Sequence, residues 1–246
     1  MRGDPLVTEA LGVHFGGLRA LDDVSIRIPA GTIVGLIGPN GAGKTTLFDC
    51  VSGLLDATSG RVHLFGRDVT HWAPHARARL GVGRTFQRLE LFGSLTVLEN
   101  VAAGVLARAA RKDAIQTARN ALDALGLSEH ADIRAVDVPL GLGRLVELAR
   151  TLATDPRLLL LDEPSSGLRR DESALLAEAV SLAHADTERS VVIVEHDMDF
   201  VLGLSSYVYV LDFGKLIAEG TPDEIRADAN VRAAYLGEEM GDDGAA

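Results

Sequence analysis

Short apolar runs alternate along the chain with glycine-rich breaks and with segments of helical spacing. Residues 6–15 and 24–28 read as strands, the second with Val24, Ile26 and Ile28 on one face. His14-Phe15-Gly16-Gly17-Leu18 between them reads as a loop, and on pattern alone Phe15 favours core packing over an exposed ring. Residues 33–37 form a buried-strand candidate, and 45–52 the helix that follows a glycine-rich turn. Weaker strand signals lie at 60–64 and at Val69, and 74–80 reads as a short arginine-rich helix. Residues 82–86 read as a further strand, leading to Gln87.

From residue 91 the texture turns helical. Thr96-Val97-Leu98-Glu99 has the form of a capping box, and an alanine-rich segment continues from it to Ala110. Over 113–125, Ile115, Ala118, Leu122 and Leu125 fall near helical spacing, and Gly126 supplies a stop. Strand signals resume at 157–161, 191–194, 207–211 and 215–218, with an amphipathic helix over 170–185. Thr221-Pro222-Asp223-Glu224 opens one more helix, and the acidic, glycine-rich tail after Gly237 reads as frayed. Strands interleaved with helices predict a mainly parallel α/β sheet, with residues 92–154 inserted as a helical subdomain.

Composition narrows the setting. The chain has 246 residues, 47% of them hydrophobic, enough for one large domain. A formal net charge of −11 argues against a nucleic-acid-binding face. No apolar run approaches the roughly 18 residues of a membrane span, and Met1-Arg2-Gly3-Asp4-Pro5 lacks the core of a signal peptide. Cys50 is the single cysteine, so no internal disulfide forms, and it reads as a packing residue. A soluble, cytoplasmic protein is expected, free to dock on a membrane partner.

The candidate chemistry is concentrated in a few stretches. Gly38-Pro39-Asn40-Gly41-Ala42-Gly43-Lys44-Thr45-Thr46 fits Gly-x-x-x-x-Gly-Lys-Thr without a mismatch. Glycines let the backbone curl round an anion with its N–H groups inward, and the following helix adds the positive end of its dipole. Lys44 is placed for the β and γ phosphates of a nucleotide, and the Thr45 hydroxyl for magnesium. Leu158-Leu159-Leu160-Leu161-Asp162-Glu163-Pro164 delivers two carboxylates at the end of a buried strand, where α/β sheets place ligands. Asp162 suits magnesium, and Glu163 suits polarising a water. His196 follows another apolar strand, and either a structural role or a γ-phosphate contact fits it; Gln87 is equally ambiguous. His71 and His75 do not make a zinc site, because Pro74 separates them and no third ligand stands at metal spacing. Gly81-Val82-Gly83-Arg84-Thr85 lacks the last glycine of a dinucleotide fingerprint.

Taken in order, the phosphate loop, Gln87, a glycine stretch at Leu140-Gly141-Leu142-Gly143-Arg144, Asp162-Glu163 and His196 resemble the ATP-binding-cassette ATPases over nearly the whole chain. Gly83-Arg84-Thr85-Phe86-Gln87, Leu95-Thr96-Val97-Leu98-Glu99-Asn100, Glu195-His196-Asp197-Met198 and Ala234-Tyr235-Leu236-Gly237-Glu238-Glu239 look like the ATPase subunits of branched-chain amino-acid importers, with urea and amide importers as near relatives. The resemblance implies a P-loop α/β core (4–91 and 155–220) with an antiparallel β subdomain, a helical subdomain at 92–154 and a C-terminal helical extension at 221–240, all in one domain spanning 4–240. It implies ATP and Mg2+ as ligands. Phe15 would stack on adenine, Gly38, Asn40, Gly41, Ala42, Gly43, Lys44, Thr45 and Thr46 would hold phosphates, and Thr45, Gln87 and Asp162 would serve the metal. Glu163 would be the catalytic base and His196 the γ-phosphate sensor. Gly141 and Gly143 would lie in the signature stretch that closes over a partner's ATP.

That stretch is usually Leu-Ser-Gly-Gly-Gln in the family. Here Gly141 stands where the serine is expected and Leu142 where small or polar residues are usual, with Arg144 as a candidate replacement for the lost attraction to phosphate. Arg169 stands where Asn or Asp is more usual. The asymmetry between an intact phosphate loop and an altered signature favours a heterodimer with a second ATPase over a homodimer. The complex would include permeases and, indirectly, a periplasmic or extracellular solute-binding protein, on the inner face of the membrane. A low-turnover regulatory subunit is the alternative, and a cassette acting on nucleic acid or ribosomes is disfavoured by the single acidic cassette.

Overall fold

A computed structural model describes residues 3–106, 110–185 and 188–239. The chain opens with an antiparallel layer: β1 (Leu6–Phe15), β2 (Leu18–Val24) and β3 (Arg27–Ile28). It continues through β4 (Ile33–Ile37), α1 (Lys44–Ser52), β5 (Ser59–Leu64), β6 (Arg67–Asp68), α2 (Pro74–Leu80) and β7 (Val82–Arg84). The helical segment holds α3 (Val97–Ala103), α4 (Arg111–Ala124) and α5 (Leu140–Leu152). Then follow β8 (Leu158–Asp162), α6 (Arg170–His184), β9 (Ser190–Val194), α7 (Met198–Leu204), β10 (Tyr207–Asp212), β11 (Lys215–Gly220), α8 (Pro222–Ala227) and α9 (Ala229–Glu239).

Every residue of β4, β8 and β9 is buried, as strands covered on both faces require. They lie in one six-stranded sheet in the order β11-β10-β4-β9-β8-β7, parallel except for the β10–β11 hairpin at its edge. The second sheet has the order β2-β1-β5-β6, with β3 also on β1. One apolar core joins the two sheets through Leu47, Phe48 and Val51 of α1, and another covers the opposite face of the parallel sheet with Leu176, Val180, Phe200 and Val201. The helical segment packs its own cluster of Val97, Val101, Ala118, Leu122, Val146 and Ala149. Arg77, 1% exposed, donates to the carbonyls of Trp72, Cys50, Val51 and Thr70, tying the end of α1 to the arginine-rich α2.

Several expected boundaries shift for local reasons. The strand expected over 24–28 is two strands with different partner positions: Val24 pairs with Leu11, Ile28 with Leu6, and the Thr8 hydroxyl bridges between them to Val24 and Ile26. The loop expected at 14–18 is only a two-residue turn, because Phe15 pairs with Leu18 across Gly16-Gly17. The strand expected over 82–86 ends at Arg84. The helix expected to reach Ala110 ends at Ala103, where Gly104 packs so close to α5 that a Cβ would meet the Arg150 carbonyl at 2.8 Å. Residues 107–109 of that expected helix, and 240–246 of the acidic tail, lie outside the described residues. Helix α7 has no counterpart in the periodicity, while α8 and α9 fall within the helical extension expected over 221–240.

Candidate active site

The carboxyl ends of β4, β8, β9 and β10 are aligned, with Leu36 and Asp162 both beside Val194 and Ile37 beside Val210. The phosphate loop leaves the sheet at this edge, the usual ligand position of such sheets. Gly38 and Gly43 are needed there for space and backbone conformation. A Cβ on Gly38 (φ 153) would meet the Leu211 carbonyl at 2.1 Å, and one on Gly43 (φ 105) the Ala20 carbonyl at 2.6 Å. Gly43 caps α1 with no side-chain acceptor on its first N–H groups, which suits an anion. Lys44 is buried, its ammonium donating to the Gly38 carbonyl at 2.5 Å and the Pro39 carbonyl at 2.9 Å, so its charge stays over the loop. Asn40, Gly41 and Thr45 are surface positions or nearly so, while Ala42 is buried and Thr46 half-buried. A cleft of about 750 Å³ runs beside Pro39–Ala42 to Phe213 and α9. Neither Glu163 nor His196 lines it.

Asp162 and Glu163 diverge in surroundings. Asp162 is 2% exposed; its Oδ2 accepts from Arg84 Nη2 at 2.7 Å, while its Oδ1 is buried with no partner. Burial pushes the Asp162 carboxyl above its ordinary range, with the Arg84 bond and charge opposing. Glu163 takes a left-handed backbone (φ 44), unusual for a residue with a side chain, and its N–H bonds to the Val194 carbonyl at 2.8 Å. Its Oε2 accepts from Gln87 Nε2 at 2.9 Å and lies 3.9 Å from His196 Nδ1. Gln87, Glu163 and His196, far apart in sequence, therefore meet around one carboxylate oxygen. The buried Glu195 orients this corner by accepting from the Ser165 N–H and hydroxyl and from the His196 N–H, at 2.7, 2.5 and 3.1 Å.

Phe15 is 52% exposed at the β1–β2 turn. The core-packing reading of this ring is thereby corrected: strand pairing with Leu18 carries its side chain out of the layer.

The donor set suits magnesium rather than a softer metal. An unpartnered buried carboxylate oxygen on Asp162 and an exposed hydroxyl on Thr45 are hard oxygen donors. Magnesium takes one or two protein oxygens, completed by phosphate and water. Among the described residues no group of three His, Cys, Asp or Glu side chains forms a self-sufficient metal cage.

Residues 21–166 match the ABC transporter family, and residues 215–240 match the family of branched-chain amino acid ATP-binding cassette transporters. The chain belongs to the ABC transporter ATPases. It is 39% identical, over 95% of its length and 98% of the relative's, to the high-affinity branched-chain amino acid transport ATP-binding protein LivG of Salmonella typhimurium. It is 35% identical to BraF of Pseudomonas aeruginosa over 95% of this chain and 98% of that protein. Among solved structures it resembles the ADP conformation of MJ1267, an ATP-binding cassette of an ABC transporter, with TM-score 0.87 and 31% identity over 95% of this chain and 99% of that one.

Within this ABC ATPase, the signature stretch sits differently from the sequence reading. Helix α5 begins at Leu140 with Pro139 at its cap, so Gly141 already lies in the first turn. Gly141 is buried, and a Cβ there would meet Glu172 Oε1 at 2.7 Å, so a hydroxyl at 141 would face Glu172 and not the mouth of the helix. The residue standing at that mouth is Pro139. Gly143 is also buried, packs on Leu89, and spends its N–H on the Pro139 carbonyl, so it offers no donor to a phosphate. The N–H groups of Leu140, Gly141 and Leu142 have no intrahelical acceptor by helix geometry. Arg144 is corrected most clearly. It is 5% exposed and turned inward, donating to the Phe86 and Gln87 carbonyls at 3.1 and 2.6 Å and pairing with Glu147 at 3.3 Å. Burial raises the Glu147 carboxyl, opposed by the Phe86 N–H and by Arg144 and Arg150. No free guanidinium is left to attract phosphate.

The sequence reading missed Arg84, Asp49, Glu195 and Ser165 as parts of the cassette's site. Arg84 and Glu195 stand in family-like stretches without a role assigned, and Arg84 left one further trace: a cation ending a strand that is otherwise buried among apolar and glycine neighbours.

Proposed function

We propose that this chain is the ATP-hydrolysing subunit of an importer for branched-chain amino acids or a closely related small polar solute. The convergence of Gln87 and His196 on Glu163, beside the phosphate loop, carries the hydrolytic part. The match of residues 215–240 and the relatives' names support the solute class. Phe15 stacks on adenine and residues 38–46 hold the phosphates, while Asp162 and Thr45 would hold Mg2+, which would supply neutralising charge to the phosphates. Glu163 accepts a proton from the water attacking the γ-phosphorus, while Gln87 and His196 fix the carboxylate and contact the γ-phosphoryl oxygens. The bond to the β-phosphate oxygen breaks, leaving ADP and phosphate.

The chain acts as one of two ATPases under a pair of permeases, on the inner face of the membrane. A solute-binding protein meets the complex only through the permeases. The partner is a second, different ATPase: Pro139 puts no hydroxyl at the mouth of α5, so the site this chain completes for its partner is the weaker one. That same observation favours the second reading, a low-turnover ATP-binding subunit of the same complex. Purifying Glu163→Gln with ATP from cells bearing the whole transporter tests the assignment. The expected co-purifying chains are two permeases and a second ATPase; recovery of this chain as a symmetric ATP-dependent homodimer contradicts the heterodimer, and recovery with nucleic acid contradicts the class. Uptake of leucine against urea and amides then decides the solute.

A further inference from the structure

Arg84 joins three pieces of the site, and nothing in the proposed chemistry uses it. Its side chain is 7% exposed. One nitrogen, Nη1, donates to Asp49 Oδ1 at 2.7 Å and to Ser52 Oγ at 2.8 Å, both on the helix that follows the phosphate loop. The other, Nη2, donates to Asp162 Oδ2 at 2.7 Å. The guanidinium also lies over two rings, with Cζ 5.7 Å from the centroid of Phe48 and 5.2 Å from that of Phe86, the residue before Gln87. A planar fork pinned at both ends and flanked by rings has little freedom to turn.

The consequence falls on Asp162. With Oδ2 held by Arg84, the carboxylate plane is fixed and the remaining oxygen, Oδ1, is left buried and unpartnered. We propose that Arg84 is the positioning residue of the metal site: by binding one oxygen of Asp162 it presents the other to Mg2+, and by binding Asp49 and Ser52 it keeps that oxygen in register with the phosphate-loop helix. A lysine at 84 supplies the charge but a single nitrogen, which cannot span Asp49 and Asp162 in a fork. This inference rests on the reading of Asp162 as a magnesium residue.

The test compares nucleotide affinity with and without metal, using a fluorescent ribose-labelled ATP on the full chain in Mg2+ and in EDTA, with Mn2+ titration followed by electron paramagnetic resonance. The parent binds more tightly with metal than without; no metal effect in the parent refutes the magnesium reading itself. Arg84→Met is expected to leave the metal-free affinity within about twofold and to cut the metal-dependent gain and Mn2+ affinity about tenfold, the loss typical of outer-shell partners. Arg84→Lys is expected to fall between, and decides the matter if Arg84→Met does not fold. A lowered melting temperature with the parent's metal-dependent gain intact in the folded variant overturns the proposal and leaves Arg84 a structural residue.

Discussion

Replacing Arg144 with Met separates the two places this side chain has been put: facing a phosphate or clamping the interior. In the structure it is 5% exposed, holds the Phe86 and Gln87 carbonyls, and pairs with Glu147, itself 1% exposed. Removing one member of a buried pair costs roughly 3–5 kcal/mol. The lower end applies, because Glu147 keeps Arg150 at 3.8 Å and the Phe86 N–H at 3.4 Å. About 3 kcal/mol in a chain of this size lowers Tm by roughly 6–12 °C. The loss has a pH signature. Glu147 already has a raised carboxyl pKa in the folded chain, and without Arg144 it rises further. A raised folded pKa makes the ionised group a liability: the penalty is absent below the ordinary glutamate value of about 4.3 and grows as pH rises from there through the folded value. Urea denaturation of parent and variant at pH 5 and pH 8 is the assay. The variant's deficit should be larger at pH 8, and Glu147→Gln added to Arg144→Met should recover part of it. A deficit under about 1 kcal/mol, the range of an exposed pair, would refute the inward placement.

Two further substitutions probe other parts of the account. Arg77→Met removes the guanidinium from four carbonyls in a site 1% exposed, of which Cys50 keeps the Gly53 N–H, and is expected to lower stability by roughly 3 kcal/mol in urea denaturation. Phe15→Ala, at a ring 52% exposed, should leave stability within about 1 kcal/mol while weakening ATP binding about tenfold, read by nucleotide titration; unchanged binding would return Phe15 to the surface at large.

The fold was legible where burial and spacing agree. The continuous apolar runs at 33–37, 158–161 and 191–194 are the buried parallel strands, and the Thr96 capping box forms with both reciprocal bonds. The candidate site was legible in its charges and glycines, because Gly38, Gly43, Lys44, Asp162, Glu163 and His196 each sit at the end of a recognisable strand or turn. What stayed hidden depends on direction. Arg144 reads the same in sequence whether it points into solvent or at the Gln87 carbonyl. Helix α5 does open at Leu140, but the roles within its first turn were hidden: Pro139, a residue without a capping side chain, holds the cap position, while the two glycines that drew attention are there for close packing against Glu172 and Leu89. Arg84 went unassigned because its three partners, Asp49, Ser52 and Asp162, come from two elements that only the fold brings together.

ATP turnover by the assembled transporter carrying Glu163→Gln in this chain alone is the most direct measure of whether hydrolysis happens here. The carboxylate that Gln87 and His196 surround is the only base offered at this corner among the described residues besides the buried Glu195 and Asp162, which are engaged by Ser165 and Arg84. Turnover is predicted to fall at least about a hundredfold, the scale of losing a general base, with ATP still bound. Turnover within twofold of the parent would mean that the chemistry runs in the partner's site, and that this chain binds ATP without hydrolysing it.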